Sequence, residues 1–371
     1  MFAVLYDKSL TALYQNVTTY PTTKWSVSRK AYEFDEMSIT TREVANSTKA
    51  MYIGLHDDDG SLKYLAFCGK PSTKDNVSTY KGTDLRQIFK QKLAMDLTNV
   101  GTSDGYVTIN GESVYLTRLQ QIYYYLMKTL CLDMAYTGFS AFGLTALVDI
   151  SDIGEHAPTW NESYIDRSPA IGNVWDVLQA FNMMYDCYIE TEVSIVAKTI
   201  TFKVKRIYEE ISFKLSDFNE QKVINDTSVT NRVICNVKRN NVQDDQVGST
   251  YKTLYLFSDD TVGEYSSENE EKLIYPPRVE TILEEDNSRS LAKGYEKLMN
   301  NRFQGKVEIN TDCSMGYVLR RIGLNTFGKI YGYNSADNTT YRRLPVMSIT
   351  EDDSGKIRVS FGRLSQYWYA K

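Results

Sequence analysis

The chain has 371 residues, a net charge of −5 and a pI near 5.4, with 42% hydrophobic and 24% charged residues. A chain this long buries roughly three quarters of its extended surface, so it needs no disulfide or metal staple. Its apolar content excludes disorder, and its acidic balance argues against a dedicated nucleic-acid binder, which carries a basic stripe.

The first hundred residues read as strands. Phe2–Tyr6, the stretch Trp25–Ile39, Ala50–Leu55 and Leu62–Cys68 are short β-prone runs. Asp57-Asp58-Asp59-Gly60 between the last two is a hairpin turn, because Gly accepts positive φ. A helix is expected next, capped by Thr83 or Asp84. Its stripe of Leu85, Ile88, Phe89, Leu93 and Leu97 would close the open end of a small barrel.

The middle of the chain changes character. Leu116, Leu119, Ile122, Tyr123, Leu126, Met127 and Leu130 spell the longest helical pattern. Asn173–Tyr185 predicts a second helix that faces Val174, Trp175, Leu178 and Phe181 inward, and the segments Cys187–Ile195 and Thr199–Val204 follow as a hairpin. The apolar stretch Leu130–Ile150 contains Asp133 and Asp149, so it reads as a buried segment and not a membrane span. The basic runs Lys203–Arg206 and Lys238–Arg239 read as solvated strand edges.

Further on, Val233, Cys235 and Val237 alternate as a half-buried strand, and residues 240–250 make a turn-rich break. An insertion is expected after it. It would contain the strand Tyr251–Phe257, the acidic loop Ser266–Glu271, the Pro276-Pro277 stop and a helix with Leu291, Tyr295, Leu298 and Met299. Strands return at Lys306–Ile309, Gly328–Tyr333 and Val346–Thr350. The hairpin turn at 351–355 then leads into Ile357, Val359 and Phe361.

The search for chemistry is negative. His56 and His156 stand a hundred residues apart, and the chain contains none of GxSxG, HExxH, GxxxxGK[ST] or GxGxxG. The carboxylate runs Glu209-Glu210 and Glu284-Glu285-Asp286 are adjacent in sequence, which says nothing about flanking a sugar. Aligning Gly60 with the glycine of a calcium loop puts Leu55 and Ala66 at the first and twelfth ligand positions, so a plain hairpin turn is the better reading. The five cysteines (Cys68, Cys131, Cys187, Cys235 and Cys313) are odd in number, scattered and without CxxC. That pattern argues against a disulfide framework and a zinc site, and fits folding in a reducing cytosol. The start, MFAVLYDKSL, lacks a signal-peptide core. No catalytic, cofactor-binding or metal residue is assigned, and no cofactor is expected. Tyrosine, with 28 copies against 14 Phe, suits half-exposed sheet faces and subunit interfaces. The residues therefore describe a non-enzymatic, mainly β structural protein with α+β parts.

Four segments carry a resemblance. They are YKGTDLRQIFKQKL; VWDVLQAFNMMYDCYIE with KTITFKV; LSDFNEQKVINDTSVTNRVICNVK; and GLNTFGKIYG with LPVMSITEDDSGKIRVSFG. In order and spacing they resemble the hub, or tail-associated (Tal-type), proteins of siphophage baseplates, which share a core with contractile-phage hubs. The resemblance implies two small antiparallel β-barrel domains, a central α+β domain and an insertion. Set on this sequence, the plan gives an N-terminal β-barrel with its closing helix at 1–105 and an α+β domain at 106–215. A second barrel would take 216–245 and 306–371, split by an α+β insertion at 246–305. It further implies a homotrimer at the virion tail tip, made in the bacterial host cytoplasm. Such a ring would meet a hexameric distal tail protein, the tape measure protein and receptor-binding proteins. It would close or extend the tail tube and gate passage of the tape measure protein and DNA, with no membrane span.

An acidic lumen, from a trimer tripling the chain's −5, would let DNA slide. Leu130–Ile150 would then be ordinary core, a subunit contact or a channel plug. Many such proteins carry a C-terminal hydrolase; this sequence stops at Trp368–Lys371, so none is expected. Three alternatives stay open: a receptor- or saccharide-binding tail protein, the spike hub of a contractile secretion system, and a wall-degrading enzyme.

Overall fold

The structure is a computed structural model that describes residues 1–13, 20–42, 49–75, 77–109, 111–133, 145–155, 169–218, 220–224, 229–238, 249–310, 319, 321–333 and 341–363. Its buried apolar side chains collect into four cores.

The first core lies inside an antiparallel unit. Its strands are β1 (Phe2–Tyr6), β2 (Tyr20–Lys30), β3 (Glu36–Thr41), β4 (Tyr52–His56), β5 (Leu62–Cys68), β6 (Ser72–Lys74) and β7 (Val77–Thr83). Pairing runs β1-β4-β5-β7-β3-β2, and two residue pairs, Phe2↔Pro21 and Ala3↔Tyr20, bring β2 back to β1. Each of the six strands sends a buried side chain inward: Leu5, Val27, Ile39, Leu55, Ala66 and Tyr80. The unit is thus barrel-like, but Val4, Leu5 and Tyr6 pair with β4 and not with β2, so the circuit is not closed along its length. Gly60 turns the β4–β5 hairpin at φ +90, as its sequence predicts.

The helix expected at 85–97 does not form. Asp84 caps a 3-10 turn, Leu85–Phe89, by accepting from the Arg86 amide, and the chain then extends as β8 (Lys92–Met95). The apolar spacing fills only one turn. Beyond it Leu93, Met95 and Leu97 alternate with Lys92, Ala94 and Asp96, a period of two that suits a strand.

The central α+β part begins with the hairpin β9 (Gly105–Ile109) and β10 (Glu112–Leu116). A capping box of Thr117 and Gln120 then starts α1 (Arg118–Tyr124), and the helix continues as a π-helix over Tyr125–Leu132. After β11 (Thr145–Asp149), α2 (Ser151–Glu155) and β12 (Ala170–Asn173), the Asn173 side chain caps α3 (Val174–Tyr185). Here β12 pairs with β8. The hairpin of β13 (Cys187–Ser194) and β14 (Thr199–Arg206) follows, with β11 parallel to β14. Both predicted helices bury their expected faces, Ile122, Tyr123 and Leu126 on one and Trp175, Leu178 and Phe181 on the other. Residues 134–144 of the long apolar stretch lie outside the described residues.

The next strands, in chain order, are β15 (Glu209–Lys214), β16 (Glu220–Ile224), β17 (Arg232–Val237), β18 (Ser249–Leu256), β19 (Val262–Glu264) and β20 (Val279–Glu284). Helix α4 (Asn287–Asn300) and strands β21 (Lys306–Asn310), β22 (Thr326–Tyr331), β23 (Tyr341–Asp352) and β24 (Ile357–Phe361) complete the set. The second sheet unit runs β15-β22-β23-β24-β21-β16 and, among the described residues, has no pairing between its two ends; β15 is parallel to β22. Strand β15 belongs here by pairing, although its sequence position suggested the central part. Strand β17 was expected in this unit, yet it pairs with β18 and β20 in the four-stranded sheet β19-β18-β17-β20.

Helix α4 covers that small sheet. Gly294 lets it sit directly on β17: an added Cβ would stand 2.5 Å from Cys235 Sγ and 3.3 Å from a Val233 methyl. Gly294→Val should therefore destabilise the protein by about 1–3 kcal/mol, the cost of overpacking, despite removing a helix glycine. A lowered urea midpoint would show it, and an unchanged or raised midpoint would refute this packing.

Candidate functional site

The side chains that sequence reading weighed for chemistry have structural duties. The buried His56 holds a turn: its Nε2 lies 2.8 Å from the Tyr6 hydroxyl and its Nδ1 3.0 Å from the Gly60 carbonyl, with its ring stacked on Phe2. Asp59 accepts from the Ser61 amide and hydroxyl at 2.8 and 2.7 Å, closing the hairpin turn. Glu210 accepts from Lys329 and Arg343 at 2.5 and 2.7 Å, Glu284 pairs with Lys293, and Asp286 caps α4. Lys203 and Lys205 pair across their hairpin with Glu192 and Glu190. Burial pushes the thiols of Cys68 and Cys131 up to about 11 and about 12, so neither is a thiolate at neutral pH. Among the described residues no group of three or more His, Cys, Asp or Glu is placed to hold a metal, and no helix is long and apolar enough to cross a membrane. His156 and Cys313 lie outside the described residues.

The most elaborate polar arrangement lies where the first sheet unit meets the central part. Arg86, 2% exposed, uses all five of its N–H donors. Nε donates to Asp84 at 2.7 Å. Nη1 donates to the carbonyls of Ile189 and Lys30 at 2.8 and 3.2 Å. Nη2 donates to Asp35 and to the Glu33 carbonyl at 2.6 and 2.8 Å. Its guanidinium carbon lies 5.6 Å from the Trp175 ring centroid, and Trp175 stacks on Phe34. Asp35 also accepts from the Lys30 amide at 2.7 Å and the Tyr64 hydroxyl at 3.0 Å. Arg86 so ties the β2–β3 turn, the 3-10 turn and β13 together, and Asp35 adds β5 through Tyr64. Beside it lies a cavity of about 240 Å³, lined by Arg29, Lys63, Tyr64, Glu190 and Glu192 among others.

Two carboxylates share this single guanidinium, so the cluster holds one surplus negative charge. Burial pushes the Asp35 carboxyl up to about 6; Asp84 adds to that and Arg86 opposes it. Sequence reading found Asp84 as a cap but could not find the site, since Asp35 lies 49 residues before Asp84 and no local pattern links them.

A second junction joins other parts. The Arg302 guanidinium donates to Asp186 at 2.8 Å and to the Met183 carbonyl at 2.7 Å, tying the end of α4 to the end of α3. The buried Arg363 lies over the Tyr32 ring at 4.4 Å.

No family model and no curated protein matches the sequence. Solved structures do match, over almost the whole chain. A 43 kDa tail protein of prophage MuSo2 from Shewanella oneidensis has a TM-score of 0.52, with 11% identity over 98% of this chain and 96% of that one. A prophage tail protein from Listeria monocytogenes also has a TM-score of 0.52, with 8% identity over 98% and 94%. A tail protein from Neisseria meningitidis has 0.51, with 9% identity over 98% and 96%. The chain has the fold of phage tail proteins. The resemblance carried by four short sequence segments and the likeness of the whole structure agree, although at such identities the likeness concerns the fold alone.

Arg86→Met leaves two carboxylates and three carbonyls without their donor and should cost about 3–5 kcal/mol, read as a lowered urea midpoint. Asp35 holds its proton more tightly in the folded chain than in the unfolded one. Its stabilising effect is therefore full below pH 4 and is lost as pH rises through 6, a change on the order of 3 kcal/mol. Asp35→Asn should remove this dependence. Stability curves of wild type and variant that stay parallel from pH 4 to 7 would contradict the assignment.

Proposed function

We propose that the chain is a non-catalytic structural subunit of a phage tail tip, three copies of which form a ring that closes or extends the tail tube. The observation that carries this reading is the end-to-end likeness to tail proteins, spanning 98% of this chain and nearly all of theirs. Internal organisation supports it. Each chain holds a seven-stranded and a six-stranded sheet unit joined through β2 and β23, so three chains would present six such units, a number that matches a hexameric distal tail ring. Among the described residues the second unit is open, with β15 and β16 each hydrogen-bonded to one strand, which would leave edges for a neighbour. The tape measure protein, and then DNA, would pass through such a ring.

Light scattering at micromolar concentration tests this. The expected mass is three times the 42.5 kDa of the chain, either alone or after addition of a purified distal tail ring. A 42.5 kDa species that persists in both conditions would overturn the reading.

A further inference from the structure

The hairpin β9–β10 exposes two aromatic rings that the fold does not use. Its inward residues, Val107, Ile109 and Val114, pack on the central core. The outward cross-strand pairs are Tyr106 with Tyr115 and Thr108 with Ser113. Tyr106 is 75% exposed and Tyr115 57%. Their centroids lie 5.3 Å apart at 75°, so each ring braces the other while ring surface still faces water.

This face is unusual in what it lacks. Exposed cross-strand positions commonly gain from opposite charges, yet all four outward side chains are uncharged and hydroxyl-bearing. Of the acids beside it in sequence, Asp104 is engaged with Arg118, accepting from its amide at 2.8 Å and pairing with its side chain at 3.7 Å, and Glu112 alternates to the other side of the hairpin, across from Ile109. No cation on the face would hold a phosphate or uronate polymer. Four side chains also fall far short of the 20–30 residues a side that a stable protein interface uses. They do match one or two sugar rings, whose C–H faces stack on aromatic rings and whose hydroxyls pair with side-chain hydroxyls.

We propose that the outer face of β9–β10 is a binding platform for a neutral oligosaccharide, with Tyr106 and Tyr115 stacking on the sugar and Thr108 and Ser113 hydrogen-bonding its hydroxyls. The platform does not depend on the tail-tip reading, because a monomer carries it too.

Titration of the full chain with chitohexaose, maltohexaose and cellohexaose tests it, followed by calorimetry and by NMR of labelled tyrosine rings. At least one oligosaccharide should bind and shift Tyr106 and Tyr115. Tyr106→Ala and Tyr115→Ala should each weaken binding at least tenfold, and Tyr106→Phe should keep most of it. Tyr265→Ala, at an exposed ring on the insertion sheet, should change nothing. Three results would overturn the proposal: no binding at millimolar sugar, binding unmoved by Tyr106→Ala, or a self-association that Tyr106→Ala abolishes in place of any sugar effect. Far-UV circular dichroism of the two Ala variants keeps loss of fold distinct from loss of stacking.

Discussion

Five residue pairs between β2 and β23, from Ser26↔Asp352 to Lys30↔Ser348, hold the two ends of the chain together, and everything else is arranged around them. Both strands are long, 11 and 12 residues, or roughly 36–40 Å when extended. That length lets each serve two units. Along one edge β2 meets β1 first and then β23; along one edge β23 meets β22 first and then β2. Side chains reinforce the seam: Glu351 accepts from Arg29 at 3.1 Å and from Lys63 at 2.6 Å, and the Thr350 and Ser28 hydroxyls pair at 2.9 Å.

Arg86 acts at the end of that seam. Its bond to the Lys30 carbonyl falls on the last paired residue of β2, its bond to the Ile189 carbonyl reaches β13, and the others hold Glu33, Asp35 and Asp84. A buried ion cluster is weak evidence for stability, because desolvation offsets most of its attraction. Its value here is directional. An apolar plug could fill the same space, but it would not specify which carbonyls face it. Five fixed donors do: four grip the β2–β3 turn and Asp84, and the fifth, on the Ile189 carbonyl, fixes where the central part meets the first sheet unit.

Sequence reading succeeded where the signal is local. Asn173 followed by Trp175, Leu178 and Phe181 gives a capped helix, and Asp57–Gly60 gives a turn, because each depends on neighbours in the chain. It failed where two periods compete over few residues, as in Leu93–Leu97, and where membership depends on remote pairing, as for β15 and β17. The hairpin β9–β10 was missed although Asn110-Gly111 stands between its alternating runs, and Gly111 takes φ +86 there. The Arg86 site had no local signal, since its partners come from residues 30–35, 84 and 189.

Two sheet units held together at this seam would serve the proposed ring, since a subunit that flexed there would not close one reproducibly. Electron cryomicroscopy of the purified protein, with the distal tail ring added if needed, measures this directly. The account predicts a threefold ring of six sheet units around a channel, with β2 and β23 continuous inside each chain. Particles with another symmetry, or rings in which β2 and β23 separate, would contradict it.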